Sequence, residues 1–580
     1  VAREHQKQTR SGLTAITIEN FKSFGDPVTV PLRPITLLFG ANSSGKSTVL
    51  QAMQYAGEVL DHRNPDVYRT IHGGDTMDLG GFEALVHKHE LNRRISITLH
   101  FSGSPEVFPY LLPDLFYSDV YERLFFMEGV PIVTEWLHFQ DLAVRVSTGW
   151  DGQRKQAFTA AYEVFFNGET FGCIEKAGPT RDARLAINFN HPFFIEAEKG
   201  ENEYGQMIME KMAKDYAGIV QRMKIIYESG TAEQQKKIRD MLRAKVKTLE
   251  RESPRQALTL AKEEPPLPIV RSVIPEWGRS LGLSVGDEMD SVFSQFLSGA
   301  GESIRRELKQ LRYLGPLREI PSRAYTPSPP PLEPSRWATG LAAWDALLRS
   351  AVKPETGPSL VEQCSDYMKD VLDLGYTIRR EDHIQIDAKG EIMEELQLLA
   401  ARYEEKDAAY LAKRVVEPLE SVPRSPVIIL HDEKNNIDVE AQDIGVGVSQ
   451  TLPVVVGAVE PNCSIFVVEQ PELHVHPAIQ VSLGDVFLRE ALGESGSHRT
   501  FLLETHSEHL VLRIMRRMRE TSQDRLPSSF PPVTPDQVAV LLVEVVDGKT
   551  IIREMPLNER GELVKAWPGG FFEEALQETL

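Results

Sequence analysis

Cysteine is nearly missing from this chain. Three stand in 580 residues, Cys173, Cys364 and Cys463, far apart and with no C-x-x-C pair. That excludes a disulfide framework and a cysteine zinc site, and it fits a reducing compartment. Long apolar runs are missing too; none reaches the roughly 20 residues of a bilayer-spanning helix. Positive charge is short: 64 Lys and Arg against 84 Asp and Glu leave a net −20. A protein that coats nucleic acid over its whole surface is basic, so any DNA or RNA contact here must be a local patch. Val1 to Arg10 is polar and charged, unlike a signal peptide. The expectation is a cytoplasmic protein with no membrane contact. Its length calls for more than one folding unit.

What is present centres on Phe39-Gly40-Ala41-Asn42-Ser43-Ser44-Gly45-Lys46-Ser47-Thr48, a G-x-x-x-x-G-K-S loop. The apolar run Ile35–Phe39 before it reads as a buried strand, and Thr48–Met53 after it reads as a helix. That context makes the loop a phosphate cradle rather than a chance Gly/Ser turn. Gly40, Asn42, Ser43, Ser44, Gly45 and Thr48 would bring backbone N–H groups and a helix N-terminus around phosphate oxygens. Lys46 would reach the β- and γ-phosphates of ATP, and Ser47 would ligate Mg²⁺.

The pattern along the chain predicts an α/β fold in four stretches. Residues 12–200 form an N-terminal lobe with strands at Leu13–Ile18, Val28–Val30 and Arg94–Phe101. A β hairpin turns there at Asn167-Gly168, and the lobe carries an antiparallel sheet. Residues 201–310 read as a helical insertion, two or three helices over 203–260 and another from Glu288 to Leu311. Lys236 to Arg251 is basic, either a solvated helix face or a surface for nucleic acid or a partner. Residues 311–425 hold a return strand, the Pro-rich loop Thr326–Pro331, and helices at 340–372 and 391–420. Residues 426–580 form a C-terminal lobe. Its strands are Val427–Leu430, Ser464–Val468 and Thr500–Leu503. A hairpin around Asp547-Gly548 follows, then the Trp567–Phe572 tail.

This last lobe holds the second set of chemistry-bearing residues. Glu469 ends a buried strand at the Walker B position, where it would hold Mg²⁺ through water. Asp443-Ile444-Gly445-Val446-Gly447-Val448-Ser449-Gln450 opens a helix whose glycines and Ser449 can face a phosphate. His506, at the tip of the next strand, can bond a γ-phosphate or the attacking water. The His474/His476 and His506/His509 spacings lack an acid or cysteine to complete a zinc set.

On these residues the chain resembles ABC-type ATPases of the SMC, RecF and OLD branch. The pieces are Ile18–Phe24, the P-loop, Asp443-x-Gly445-x-Gly447-x-Ser449-Gln450, Glu469-Gln470-Pro471-Glu472-Leu473-His474-Val475-His476-Pro477 and Glu504-Thr505-His506-Ser507. More narrowly it resembles AAA-annotated ATPases marked by Tyr313-Leu314-Gly315-Pro316-Leu317-Arg318 and Trp567–Phe572, among them the ATPase subunits of Septu-like anti-phage systems. The resemblance covers the two ends, about half the chain. It implies an ABC-type P-loop head with a mixed and antiparallel β lobe and an inserted helical region. It also implies a homodimer or higher homo-oligomer in which Gly445, Gly447, Ser449 and Gln450 meet the γ-phosphate held by another copy. His474–Pro477 would cross that interface, and His506 would be the switch histidine. A separate nuclease or other effector subunit is the implied partner. No metal-binding acid cluster follows Ser507, so no intrinsic nuclease is expected.

One position departs from the family. The catalytic glutamate that follows the Walker B acid is Gln470 here, which can orient water but cannot take its proton. Glu472 and Glu504 are the neighbouring substitutes. Positioned bases supply ~10²–10⁴ in rate, so hydrolysis should be slow. A DNA-binding clamp of the RecF or SMC sort, or a scaffold that holds ATP without cycling, are the other readings.

Overall fold

The computed structural model describes residues 12–102, 141–188, 190–192, 269–270, 272–282, 290, 293–323, 325–329, 333–350, 357–384, 390, 392–394, 396–397, 419, 422, 424–493, 499–565 and 567. The helices expected over 203–260, the basic stretch Lys236 to Arg251, most of the helix expected at 391–420 and the tail beyond Trp567 lie outside them. Among the described residues no helix is long and apolar enough to cross a membrane. The chain makes two compact units. One takes Val1–Ile71, Met77–Leu311 and Asp536–Pro556; the other takes His72–Thr76, Arg312–Pro535 and Leu557–Leu580.

The first unit is built on β1 (Gly12–Glu19), β2 (Val28–Pro31), β3 (Ile35–Phe39), β4 (Ile95–Ser102), β5 (Asp141–Asp151), β6 (Gln156–Phe166), β7 (Glu169–Glu175), β8 (Ala183–Ile187) and β9 (Ile269–Val270). Eight of these form one sheet in the order β2-β1-β4-β5-β6-β7-β8-β9, antiparallel throughout. Ile16 and Ile18 of β1 and Ile97 and Leu99 of β4 are fully buried. Helix α1 (Lys46–His62) packs on β1, β4 and β5 through an apolar face that includes Val49, Met53 and Val59. The Asn167-Gly168 turn has both residues at positive φ, 49° and 82°, as the expected two-residue hairpin requires.

β3 stands apart from that sheet. All five of its residues are buried, so it has no polar face to give to solvent. It runs parallel to β16 (Val538–Val546), which turns through Asp547-Gly548 into antiparallel β17 (Lys549–Glu554). The C-terminal hairpin therefore belongs to the P-loop unit, although its position in sequence grouped it with the C-terminal lobe. An apolar strand such as Val538–Val543 needs a buried partner, and β3 is that partner. Further along, α2 (Gly81–Leu85) is short. A one-turn π bulge at Gln295–Gly299 leads into α3 (Ala300–Lys309). The helix expected to reach Leu311 stops at Lys309, because Leu311 already opens a strand.

In the second unit, β10 (Leu311–Leu314) lies beside β14 (Ile465–Glu469), which pairs in parallel with β15 (Thr500–Glu504). The crossover is α7 (Pro477–Leu492), and α8 (Glu508–Ser522) packs on it. Helices α4 (Leu341–Arg349) and α5 (Leu360–Asp366) lie within the helical stretch expected at 340–372 and pack against α6 (Val446–Val459). The stretch 311–425 needs one correction. It holds β11 (Tyr376–Ile384), which pairs with β12 (Arg424–Asp432), itself paired with β13 (Ile437–Glu440). β11 has no apolar alternation to announce it; of its residues only Ile378 is buried. Its outer face is polar, with Arg379 and His431 both on the carboxylate of Asp438.

Gly457 of α6 is where this unit is tightest. A Cβ there would lie 2.2 Å from the ring of Phe466 on β14. Gly457→Ala should destabilise the protein by about 1–3 kcal/mol, the usual cost of overpacking. Thermal unfolding checks this, and Phe466→Leu in the same chain should recover part of the loss. An unchanged midpoint in Gly457→Ala would contradict the packing described.

Candidate nucleotide site

The P-loop is shaped by what crowds it. Gly40 sits at φ 146°, and a Cβ there would fall 2.2 Å from the carbonyl oxygen of Val543. Gly45 sits at φ 107° and opens α1; its Cβ would meet Thr550 Oγ1 at 2.8 Å and Ser23 Oγ at 2.9 Å. Only glycine suits either position. Ser43 also takes the left-handed region, at φ 62°. Two segments remote in sequence clasp the loop. Thr550 N donates to the carbonyl of Ser23 at 3.0 Å, and Thr550 Oγ1 donates to the carbonyl of Ser44 at 3.0 Å. Lys22 in turn donates to Gln51 of α1 at 2.7 Å, and burial lowers its pKa. Ser23 and Thr550 carried no functional sign in the sequence beyond Ser23's place in the Ile18–Phe24 motif.

Lys46 is buried and folds back over its own loop. Its Nζ donates to Gly40 O at 3.0 Å and to Ala41 O at 2.9 Å. Asn42 and Ser43 are exposed, Ser47 is half-buried, and Ser44 and Thr48 are buried. This arrangement fits a phosphate group. The lysine's ammonium already sits among oxygens, and the glycines leave the backbone bare where a Cβ would block it.

The acidic set lies in the second unit. β14 ends at Glu469. Gln470 leaves the strand at φ 45°, and its N–H donates to the carbonyl of Glu504 at 2.7 Å. Strand alternation therefore does not govern the pair Glu469 and Gln470; both are half-buried. Glu469 Oε1 accepts from the hydroxyl of Tyr313 at 2.9 Å. Burial, followed by the charge of Glu469, holds the Tyr313 hydroxyl well above the usual phenol range. Glu472 is engaged through both oxygens: His506 N donates to Oε1 at 2.7 Å and Thr505 Oγ1 donates to Oε2 at 2.8 Å. It holds the turn that carries His506. Burial raises its pKa above 4.5. Glu504 is buried at the end of β15.

Arg318 ties these pieces together. It is buried, and burial pushes its pKa down to about 10, against the opposing pull of Glu472 and Glu469. Its guanidinium donates to the carbonyls of Glu469 (2.9 Å), Gln470 (3.2 Å) and Gln450 (3.4 Å), while Gln450 Nε2 donates to the Arg318 carbonyl at 2.7 Å. Sequence reasoning used Tyr313 and Arg318 only as marks of a resemblance. Their sign was a Tyr near the end of a short strand and an Arg just past the Gly315-Pro316 that follows it.

The helix opened by Gly445 presents Gly445, Val446 and Gly447 at its exposed or half-exposed start. Ser449 and Gln450 lie deeper. Ser449 is 1% exposed and its hydroxyl donates to Val446 O at 2.9 Å.

Two family models match. Residues 12–264 match "AAA ATPase domain", and residues 303–513 match "AAA domain, putative AbiEii toxin, Type IV TA system". The two matches support ATPase activity for this chain. No curated protein matches. Among solved structures, the chain is similar to the Smc head domain with an extended coiled coil from Pyrococcus furiosus, bound to the C-terminal domain of ScpA. The identity is 10% and the TM-score 0.33, over 98% of this chain and 99% of that one. It is also similar to the SMC head domain from Thermotoga maritima, at 9% identity and TM-score 0.32, over 94% and 99%. Both likenesses are too distant to bear on fold or activity.

Of the arginines that follow His506 on α8, Arg516 and Arg519 are exposed, while Arg513 and Arg517 are engaged within the unit. Arg513 and Arg517 both bind Asp485, and Arg516 and Arg517 bind Glu520. Arg517 also lies over the ring of Phe530, 3.9 Å from its centre. Helical periodicity turns Arg517 inward, onto the buried acid of α7.

Glu472 generates a pH prediction. A carboxyl raised in the folded state contributes stability that is present below its unfolded pKa near 4.5 and is lost as pH rises through the folded value. Glu472→Gln removes that ionisation and keeps an acceptor for His506 N. Its unfolding midpoint should therefore gain on the parent's between pH 4.5 and pH 8. A difference that does not vary with pH would show that Glu472 folds without penalty to its charge.

Proposed function

We propose that this chain is an ABC-type ATPase that binds Mg·ATP, hydrolyses it slowly and dimerises head to tail around it. In this reading it regulates a separate effector, a nuclease, in bacterial anti-phage defence. The observation that carries the reading is the glycine cradle of the P-loop, clasped by Ser23 and Thr550, in a chain whose Walker B acid is followed by Gln470. The loop residues Gly40, Asn42, Ser43, Ser44, Gly45, Lys46 and Thr48 bind the phosphates. Ser47 and Glu469 are the residues that would hold Mg²⁺, which would supply charge neutralisation at the phosphoryl group. Gln470 orients water; His506 stands on the turn held by Glu472. Glu472 and Glu504 are the acids at hand for proton transfer. Gly445, Gly447, Ser449 and Gln450 form a helix start that meets the phosphate held by a second copy, with Ser449 shaping the turn through Val446 O.

The description of the model matching 303–513 names a toxin of a toxin–antitoxin system, which supports an effector-linked role. A DNA-clamp role is less well supported, because Arg513 and Arg517 are committed to Asp485.

Two variants test this. Lys46→Ala should abolish ATP binding measured by calorimetry; retained parental affinity would end the P-loop assignment. Val446, 54% exposed at the start of α6, is the right place to probe association. Val446→Glu puts an acid where the helix dipole favours it but where it repels a phosphate. Sedimentation should show a folded monomer that no longer associates with Mg·ATP. Parental ATP-dependent association in this variant would remove the head-to-tail dimer.

A further inference from the structure

The segment Tyr313–Arg323 crosses the second unit as a strap, and its side chains bind two functional elements in succession. Tyr313 holds the carboxylate of Glu469. Arg318 holds the backbone of Glu469 and Gln470 on one side and Gln450 on the other. The carbonyl of Pro321 accepts from Gln442, and Arg323 takes both oxygens of Asp443 at 2.6 and 2.8 Å and Glu440 at 3.0 Å. The strap thus grips the end of the Walker B strand and both flanks of the Asp443–Gln450 motif. At the Walker B end it holds peptide groups as well as a side chain. Gln470 stands at φ 45° with its N–H on Glu504 and its carbonyl on Arg318, so the peptide groups on both sides of it are held.

We infer that Arg318 is a positioning residue that locks the Gln470 turn to the first turns of α6, so that the two move as one body. Rotation of the Gln470 peptide, which would carry its side chain, withdraws an acceptor from the guanidinium. The same guanidinium's Nη1 and the Arg318 carbonyl hold Gln450. A change at the acidic turn is thereby conveyed to the α6 start, and a partner seated on that start biases the turn. Lysine cannot replace Arg318, since a single ammonium lacks the planar fork that spans three carbonyls.

The inference rests on the ATPase reading above, and the test separates the two. Steady-state hydrolysis by Arg318→Lys should show a KM for ATP within about twofold of the parent and a kcat at least about tenfold lower. The P-loop is untouched while the acidic turn is freed. An unchanged kcat, or a rise in KM alone, would overturn the inference. Gln450→Leu keeps the volume and removes the bond to the Arg318 carbonyl while leaving Arg318 itself in place, which guards against a variant that fails to fold. Hydrogen exchange needs no turnover. In both variants, exchange in peptides covering 443–452 and 465–473 should rise by a common factor, with 40–50 and 540–556 unchanged. A rise confined to one of the two peptides would overturn the coupling. A parent that neither binds nor hydrolyses ATP would refute the ATPase reading, and the exchange measurement would then decide the coupling alone.

Discussion

A single buried guanidinium organises the second unit. Arg318 cannot be housed in a protein interior without acceptors, and the acceptors it takes are main-chain carbonyls at two places that must not drift. An orphaned buried carbonyl costs about 1–3 kcal/mol, so the turn after β14 and the start of α6 have strong reason to keep their geometry while Arg318 is present. The positive charge also lies beside Glu469 and Glu472, which lets two acids occupy a largely buried corner. Lysine at this position would carry the charge without the fork.

The first unit answers to a different constraint, steric rather than electrostatic. Val543, Thr550 and Ser23 press on the P-loop so closely that Gly40 and Gly45 have no room for a side chain. The result is a loop whose backbone is exposed to a ligand and whose conformation is fixed by neighbours distant in sequence. Lys46, resting on Gly40 O and Ala41 O, is held in place by the same loop.

Much of this was legible in the sequence where one residue type has one physical use. The glycines of the P-loop, the Asn167-Gly168 and Asp547-Gly548 turns, and the apolar runs of β3, β14 and β15 each announced their structure. The sheet β11-β12-β13 was legible only at β12, from the apolar run Val427–Leu430. Its outer face is a polar ladder, with Arg379 and His431 both hydrogen-bonded to Asp438, that looks like a loop to any hydrophobic pattern. Nor could sequence reveal that Arg517 points at Asp485, that Ser449 turns its hydroxyl onto its own helix, or that Glu472 spends both oxygens on Thr505 and His506. Those facts depend on which face each helix presents and on partners tens of residues away.

The central claim is that a glutamine standing where a catalytic base is expected limits the rate. Gln470 is half-buried, held at its N–H by Glu504 and at its carbonyl by Arg318, so a glutamate there would inherit the same placement. The most direct measurement compares steady-state hydrolysis at saturating Mg·ATP for the parent, Gln470→Glu, Glu472→Gln and Glu504→Gln. The account predicts that Gln470→Glu is faster by at least about tenfold, given the ~10² that a positioned base supplies at the low end. A Gln470→Glu rate no higher than the parent's, with Glu472→Gln or Glu504→Gln inactive, would contradict it and give the base role to the acid whose loss stops turnover.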